Sequence, residues 1–381
     1  MIIIHVLEPF ASGVSTAVSS IASELPEFTH IVVHGSRNWT ESTEKVKQRF
    51  PKEVSFVEWK NAGREINLLR DWKAFLELIS ILKTFTDRKN KNQDKIVVHL
   101  HSSKAGFLGR LACRILGIKA VIYTPHCGAF IRTDIDKIKR KFYRFFEWLG
   151  GHFGGRVVGC GPSEGEFYKK LGKDTTFVSN GVRVKKTANN TCYAVSNKNA
   201  DLHSSRNLIS FSGVLSFQKD PDFWNEVACA FAESAGKKGF SFCWIGDGPE
   251  FKKLNQDFID VTGWKSAAEV EDFLERTAVY FSSSLWEGLP YGVLEAMSSG
   301  CALLLRNVPG NKDLVIHNEN GLLFNTKEEA IEMLDTMLSD SLLLVSMGKR
   351  SQEIIEKDFS LEKMGESYKK IYESAIMETK W

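Results

Sequence analysis

Short apolar, β-branched runs alternate with longer helical patterns along almost the whole sequence, and that alternation restricts the folds open to it. IIIHVL (2–7), HIVVHG (30–35), KIVVHLH (95–101), AVIYTPH (120–126) and RVVGCG (156–161) read as strands. After Asn180 the pattern restarts with NLISFSGVL (207–215), FSFCWIG (240–246), AVYFSSS (278–284) and CALLLRN (301–307). Strands separated by helices pair in parallel, and parallel sheets are covered by helices on both faces. The expected class is therefore α/β, with two Rossmann-like domains facing across a cleft. The interval 184–206 is polar and aperiodic and marks the boundary between them. In such sheets ligands sit outside the carboxyl ends of the strands.

A length of 381 residues favours two domains over one, and a composition 43% hydrophobic and 25% charged is that of a soluble enzyme. No run of 18 apolar residues exists, which argues against a transmembrane helix. MIIIHVLEPF lacks a basic leader and reads as a first strand, not a signal peptide. The seven cysteines form no C-x-x-C pair and are expected to be reduced thiols of a cytoplasmic protein. The sequon-like Asn38-Trp39-Thr40 and Asn189-Asn190-Thr191 then carry no weight. A net charge of +3 hides an asymmetry: residues 1–186 hold 31 Lys and Arg against 18 Asp and Glu, the remainder 19 against 29. A basic half and an acidic half imply different partners. A dinucleotide-binding enzyme is disfavoured, because GDGPEF (246–251) lacks the third glycine of G-x-G-x-x-G. No P-loop occurs either.

The segment SSSLWEGLPYGVLEAMSSG (282–300) carries Glu287 and Glu295 in apolar surroundings, where acids are costly unless something occupies them. Its first part reads as a strand end and loop, its second as a helix closed by Gly300. Pro290 and Gly292 let the backbone pass close to a ligand. The helix N-terminus at Tyr291, Gly292, Val293 and Leu294 offers N–H groups to an anion such as a diphosphate. Glu287 can then reach a sugar on one side of the phosphates and Glu295 a ribose on the other. A sugar nucleotide has those parts in that order.

EGLPYGVLE resembles the E-x7-E signature of retaining glycosyltransferases of family 4, of the GT-B fold. SGVSTAV (12–18), HSSKAGFLGRLA (101–112), YTPH (123–126), VSNGV (178–182), GVLSFQKD (213–220), IGDGPE (245–250), VPGNKDLV (308–315) and NGLLF (320–324) fall in the family's order. The resemblance implies an acceptor-binding domain over 1–186, to which a terminal helix at 360–381 crosses back. It implies a nucleotide-sugar-binding domain over 187–359. By position, Glu295 would hold the ribose and Glu287 the donor sugar and its reacting face. Lys219 would neutralise the diphosphate, Gly13 would admit the phosphates, and His126 would line the sugar from the first domain. Ser12 stands where the family has the first of two glycines. Val214 stands where it has an arginine, a loss that Lys104 is a candidate to compensate.

The expected function is a retaining, metal-independent glycosyltransferase of surface polysaccharide biosynthesis, of the type that builds capsules and O-antigens. It would move a sugar from a nucleotide-diphosphate donor, preferably UDP-hexose or UDP-N-acetylhexosamine, to a lipid-linked saccharide. No nucleic acid, cofactor or metal is expected, since His99 and His101 share a strand face with no third ligand apparent nearby. In the helix over 134–153, Ile138, Phe142, Phe145 and Leu149 form a stripe expected to pack on the core. Lys137, Lys141, Arg144 and Trp148 form a second stripe that suits an anionic membrane, or a plain solvated face. The protein would then sit peripherally on the inner face of the cytoplasmic membrane. A retaining glycosidase would need its acids about 5–5.5 Å apart across a sugar, which one acid in a loop and one inside a helix fit poorly. A nucleotide-sugar epimerase and a non-catalytic scaffold subunit are the remaining alternatives.

Overall fold

The computed structural model describes residues 1–36, 42–63, 65–86, 95–172, 175–185 and 206–378. Most of the 184–206 interval, and both sequon-like triplets, lie outside the described residues. The chain divides into two units, Met1–Gly181 with Leu361–Trp381, and Val182–Ser360.

The first unit is built on a seven-stranded parallel sheet in the order β3-β2-β1-β4-β5-β6-β7. Its strands are β1 (Ile2–Leu7), β2 (Thr29–His34), β3 (Ser55–Glu58), β4 (Ile96–His101), β5 (Val121–Thr124), β6 (Arg156–Gly159) and β7 (Thr175–Phe177). Between them run helices α1 (Ser12–Glu24), α2 (Thr43–Lys47), α3 (Leu68–Thr86), α4 (Ser103–Leu116), α5 (Lys137–Gly150) and α6 (Pro162–Lys169). Successive strand side chains point to opposite faces. Ile4, Val6, Val98 and Leu100 therefore pack with Ala74 and Leu78 of α3 and Ala105 and Ala112 of α4.

The second unit has a six-stranded parallel sheet in the order β10-β9-β8-β11-β12-β13. Its strands are β8 (Leu208–Ser212), β9 (Ser241–Ile245), β10 (Ile259–Val261), β11 (Thr277–Ser282), β12 (Ala302–Arg306) and β13 (Gly321–Phe324). Helices α7 (Pro221–Lys237), α8 (Ala267–Glu275) and α9 (Tyr291–Ser298) lie between strands, and α10 (Lys327–Ser339) and α11 (Ser341–Asp358) follow β13. Buried Trp224 keeps its indole satisfied by donating to the Phe281 carbonyl (3.1 Å). A last helix, α12 (Leu361–Met377), belongs to the first unit. There Met364, Tyr368 and Tyr372 meet Ile3, Val97 and Ile122 on the other face of the sheet.

The segment KAGFLGR owes its glycines to packing. A Cβ on Gly106 would lie 2.2 Å from the Tyr123 ring, so only glycine lets α4 settle this close to β5. The same helix carries a buried cation, Arg110, which donates from Nε to the Gly106 carbonyl (2.8 Å) and from Nη2 to Glu147 of α5 (3.3 Å). The guanidinium lies 4.4 Å from the centre of the Tyr123 ring, and the Tyr123 hydroxyl donates to the other Glu147 oxygen (2.8 Å).

This pairing reverses the expected orientation of α5. Ile138 (80% exposed), Phe142 and Phe145 face outward, not into the core, while Glu147 and Gly150 are buried. The helix is seated by a buried charge pair with Phe146 against Phe107 (ring centres 5.3 Å), leaving the apolar stripe uncovered. Removing one partner of a buried ion pair leaves an uncompensated charge and costs about 3–5 kcal/mol. Glu147→Ala should therefore lower the Tm of the first unit strongly. Arg110→Met combined with Glu147→Leu should recover much of that loss. Equal losses in the single and double variants, measured by thermal unfolding, would show that the pair does not seat α5.

Candidate active site

In the second unit the candidate residues gather at the carboxyl ends of β8 and β11. The N-cap of α9 is Pro290, which offers no side-chain acceptor, and the first turn holds no acid. No side chain at the N-cap or acid in the first turn thus offsets the positive end of this helix, the end that favours an anion. Val293 and Leu294 bury their side chains, so they can offer a ligand only backbone. Gly292 is forced by close approach: a Cβ there would lie 2.6 Å from the Tyr280 hydroxyl and 2.8 Å from Ser212 Oγ. Burial, with the Glu295 and Glu287 charges adding, pushes the Tyr280 phenol above its ordinary range, against the lowering bonds it makes with Ser212.

Glu287 is buried, and the structure shows what holds it. Lys219 donates to one carboxylate oxygen and Gln218 Nε2 to the other (3.4 Å). The loops are stitched by Gln218 Nε2 to the Trp286 carbonyl (2.8 Å), Ser283 Oγ to the Lys219 carbonyl (2.6 Å), and Leu285 N–H to the Gln218 carbonyl (2.8 Å). Glu287 and Lys219 are thus a contact pair, 7% and 18% exposed. The IGDGPE loop does structural work nearby: Leu215 N–H donates to the Asp247 carbonyl (2.9 Å) and Glu250 N–H to that of Leu215 (3.1 Å). Lys104 lies in the first unit and is committed there, donating to the Glu65 carbonyl and to Asp71 (2.8 Å).

In the first unit the strand ends carry unusual backbone. Ser12, Ser102, His126 and Cys127 all adopt left-handed φ values of 51°, 74°, 52° and 73°. Each such residue costs on the order of 1–3 kcal/mol and persists only where its surroundings enforce it. A left-handed residue at 12 accounts for the glycine that the resembling family has there. Gly13 follows it in the first turn of α1. At 126–128 the enforcing group is Glu164, whose Oε1 accepts from the N–H groups of Cys127 (2.6 Å) and Gly128 (3.2 Å). Its Oε2 accepts from Cys160 N–H (2.8 Å).

The expectation that His99 and His101 have no third imidazole beside them is wrong. Parallel pairing of β1 with β4 sets His5 opposite His99, and ligand atoms of His5, His99 and His101 lie within 4.8 Å of one another. Their ring nitrogens are already paired. His99 contacts the Tyr372 hydroxyl (2.8 Å) and Thr124 Oγ1 (2.9 Å). His5 contacts His101 (3.1 Å) and His30 (3.1 Å), and His101 contacts His126 (3.0 Å). Sequence reading missed this cluster, although a histidine inside each of three β-branched runs was its visible signal. Lys137, Lys141, Arg144 and Trp148 are exposed on α5, and Leu68, Leu69, Trp72 and Leu76 are exposed on α3.

Two parallel Rossmann-like sheets, one in each unit, are the architecture of the GT-B fold. Residues 11–186 match the family described as Glycosyltransferase Family 4, and residues 196–354 match Glycosyl transferases group 1. The chain belongs to the family 4 type of GT-B glycosyltransferases. It is 29% identical over 331 residues to the UDP-Gal:alpha-D-GlcNAc-diphosphoundecaprenol alpha-1,3-galactosyltransferase of Escherichia coli, covering 81% of each chain. It is 25% identical to an uncharacterised 41.2 kDa protein in the cps region of Klebsiella pneumoniae, over 98% of this chain and 100% of that one. HepE of Anabaena, solved with UDP and glucose, shares the fold at 13% identity with a TM-score of 0.76, covering 98% and 100% of the two chains.

Burial lowers the pKa of His5, His30, His99, His101 and His126 below the ordinary 6.5, that of His126 to about 4. The unfolded chain therefore binds more protons than the native one once pH falls below 6.5. Each ring then costs up to about 1.4 kcal/mol per pH unit until its folded value is reached. The Tm should be level above pH 7 and fall steadily from pH 6.5 towards 4.5. A flat Tm over that lower interval would contradict a neutral, buried imidazole cluster.

Proposed function

We propose that the protein is a retaining glycosyltransferase that takes a sugar from a UDP-hexose or UDP-N-acetylhexosamine and adds it to a lipid-linked saccharide. The observation that carries this reading is the Lys219–Glu287 pair lying beside the uncapped N-terminus of α9. Glu287 meets the donor sugar at its reacting face. Lys219 is shared between that carboxylate and the diphosphate, whose remaining charge meets the N–H groups of residues 291–294. Preorganised dipoles and cations of this kind stabilise a leaving diphosphate without a metal ion. Glu295 accepts from the ribose hydroxyls, Gly13 lets the first loop approach the phosphates, and His126 lines the sugar. The resemblance of EGLPYGVLE to the signature of retaining enzymes supports retention. The printed donor and diphosphoundecaprenol acceptor of the E. coli relative support the substrate classes. The epimerase and scaffold readings have no comparable support.

A membrane-bound acceptor also accounts for α5. Lys137, Lys141 and Arg144 lie beside the outward Ile138, Phe142, Phe145 and Trp148, a pairing that suits the headgroup region of an anionic leaflet. No helix of the described residues is long and apolar enough to cross a membrane. We place the protein in the cytoplasm, held peripherally to the inner face of the cytoplasmic membrane.

Two tests separate these roles. Glu295→Ala should weaken UDP binding about 10–100-fold, the worth of a hydrogen bond to a charged group. Glu287→Ala should lower turnover more than UDP affinity. Calorimetry and initial rates giving equal, small effects from both would refute the assignment. Charge reversal at Lys137, Lys141 and Arg144 should abolish sedimentation with anionic vesicles while leaving UDP affinity unchanged. Vesicle binding equal to wild type would leave α5 as a solvated face.

A further inference from the structure

Four imidazoles form one hydrogen-bonded line in the first unit, and a single backbone group sets its direction. His30 Nε2 lies 2.9 Å from the Leu25 carbonyl, which can only accept, so Nε2 carries the proton. In a neutral ring His30 Nδ1 is then an acceptor, and the proton between it and His5 Nε2 belongs to His5 (3.1 Å). The same rule makes His5 Nδ1 accept from His101 Nε2 (3.1 Å). His101 Nδ1 in turn accepts from His126 Nε2 (3.0 Å). The first three rings are buried and only His126 is partly exposed, so the line runs from the core to the strand ends.

We propose that His30, His5 and His101 are positioning residues that hold His126 as the tautomer protonated on Nε2, so that its Nδ1 is offered to a substrate as an acceptor. This rests on the reading that His126 lines the donor sugar, and it names what His126 can recognise there: an O–H group pointing at it. Burial of the rings keeps each one neutral, which the alternation of donor and acceptor requires. The backbone of His126 is fixed separately, because Glu164 clamps the two N–H groups that follow it. Ring orientation and proton position are thus set from one side and main-chain position from the other. A metal would need lone pairs of His5, His99 and His101 turned to one point, and these nitrogens are instead paired with one another, His30, His126, Tyr372 and Thr124.

The test is long-range 1H–15N correlation of the histidine rings in the ligand-free full chain, with the His126 signals assigned by their loss in His126→Gln. Wild type should show His126 protonated on Nε2 alone. His101→Asn, whose Oδ1 can take the place of Nδ1 as acceptor, should preserve that tautomer. His101→Leu should give a mixture of tautomers, and so should His30→Leu, although two rings separate residue 30 from the signal. In His30→Leu the KM for the donor should rise by up to about tenfold, the worth of one misdirected hydrogen bond. Wild-type His126 protonated on Nδ1, or an unchanged single tautomer in both leucine variants, would overturn the proposal. Failure of the functional reading would appear elsewhere, as unchanged kinetics in His126→Gln while wild-type His126 shows the expected tautomer.

Discussion

A parallel sheet covered on both faces leaves a polar side chain on an interior strand nowhere to go but to another buried group. That constraint governs both units. In the first, His5, His30, His99 and His101 are shut away from water, so they bond to one another, to His126, to Tyr372, to Thr124 and to the Leu25 carbonyl. Arg110, equally shut in, takes Glu147 and the Tyr123 ring as its surroundings. In the second, tryptophan indoles donate to strand and loop carbonyls. The carboxyl ends of the strands escape the constraint, and there the left-handed residues, the uncapped helix and the acid pair are found.

The two units handle charge differently at those ends. The second spends its cation on its own carboxylate, since Lys219 is bound to Glu287 before any phosphate arrives. On the proposed assignment, a diphosphate would compete for, or share, an ammonium already oriented by a fixed neighbour. This keeps a long, flexible side chain from wandering, at the cost of some attraction for the anion. With Val214 where the family has an arginine, the proposed site would rely correspondingly more on the helix N-terminus for phosphate charge.

Much of this was legible in the sequence. The strands read from β-branched runs are the interior ones, which are contiguous and apolar because both faces are buried. Those it did not single out as strands, β3, β7, β10 and β13, are the edges of the two sheets. SFVE, TTF and IDV are short and partly polar because water reaches them, and GLLF was noticed only as a motif. The segment from Glu287 to Glu295 was readable because loop and helix are local. The orientation of α5 was not, since hydrophobicity pointed to one face while the anchor was a distant arginine. The imidazole line needed strand register: only parallel pairing of β1 with β4 reveals that residues 94 positions apart are neighbours (His5 and His99).

The placement of α12 has a consequence for synthesis. Tyr368 and Tyr372 complete the sheet face that holds the histidines, yet they are made after every residue of the second unit. A ribosome therefore makes the whole sequence of the second unit before it makes the last helix of the first. Until residues 361–377 emerge, the face containing Ile3, Val97 and Ile122 lacks its cover and presents apolar surface, the condition in which nascent chains recruit chaperones. The half made first is the half that folds last.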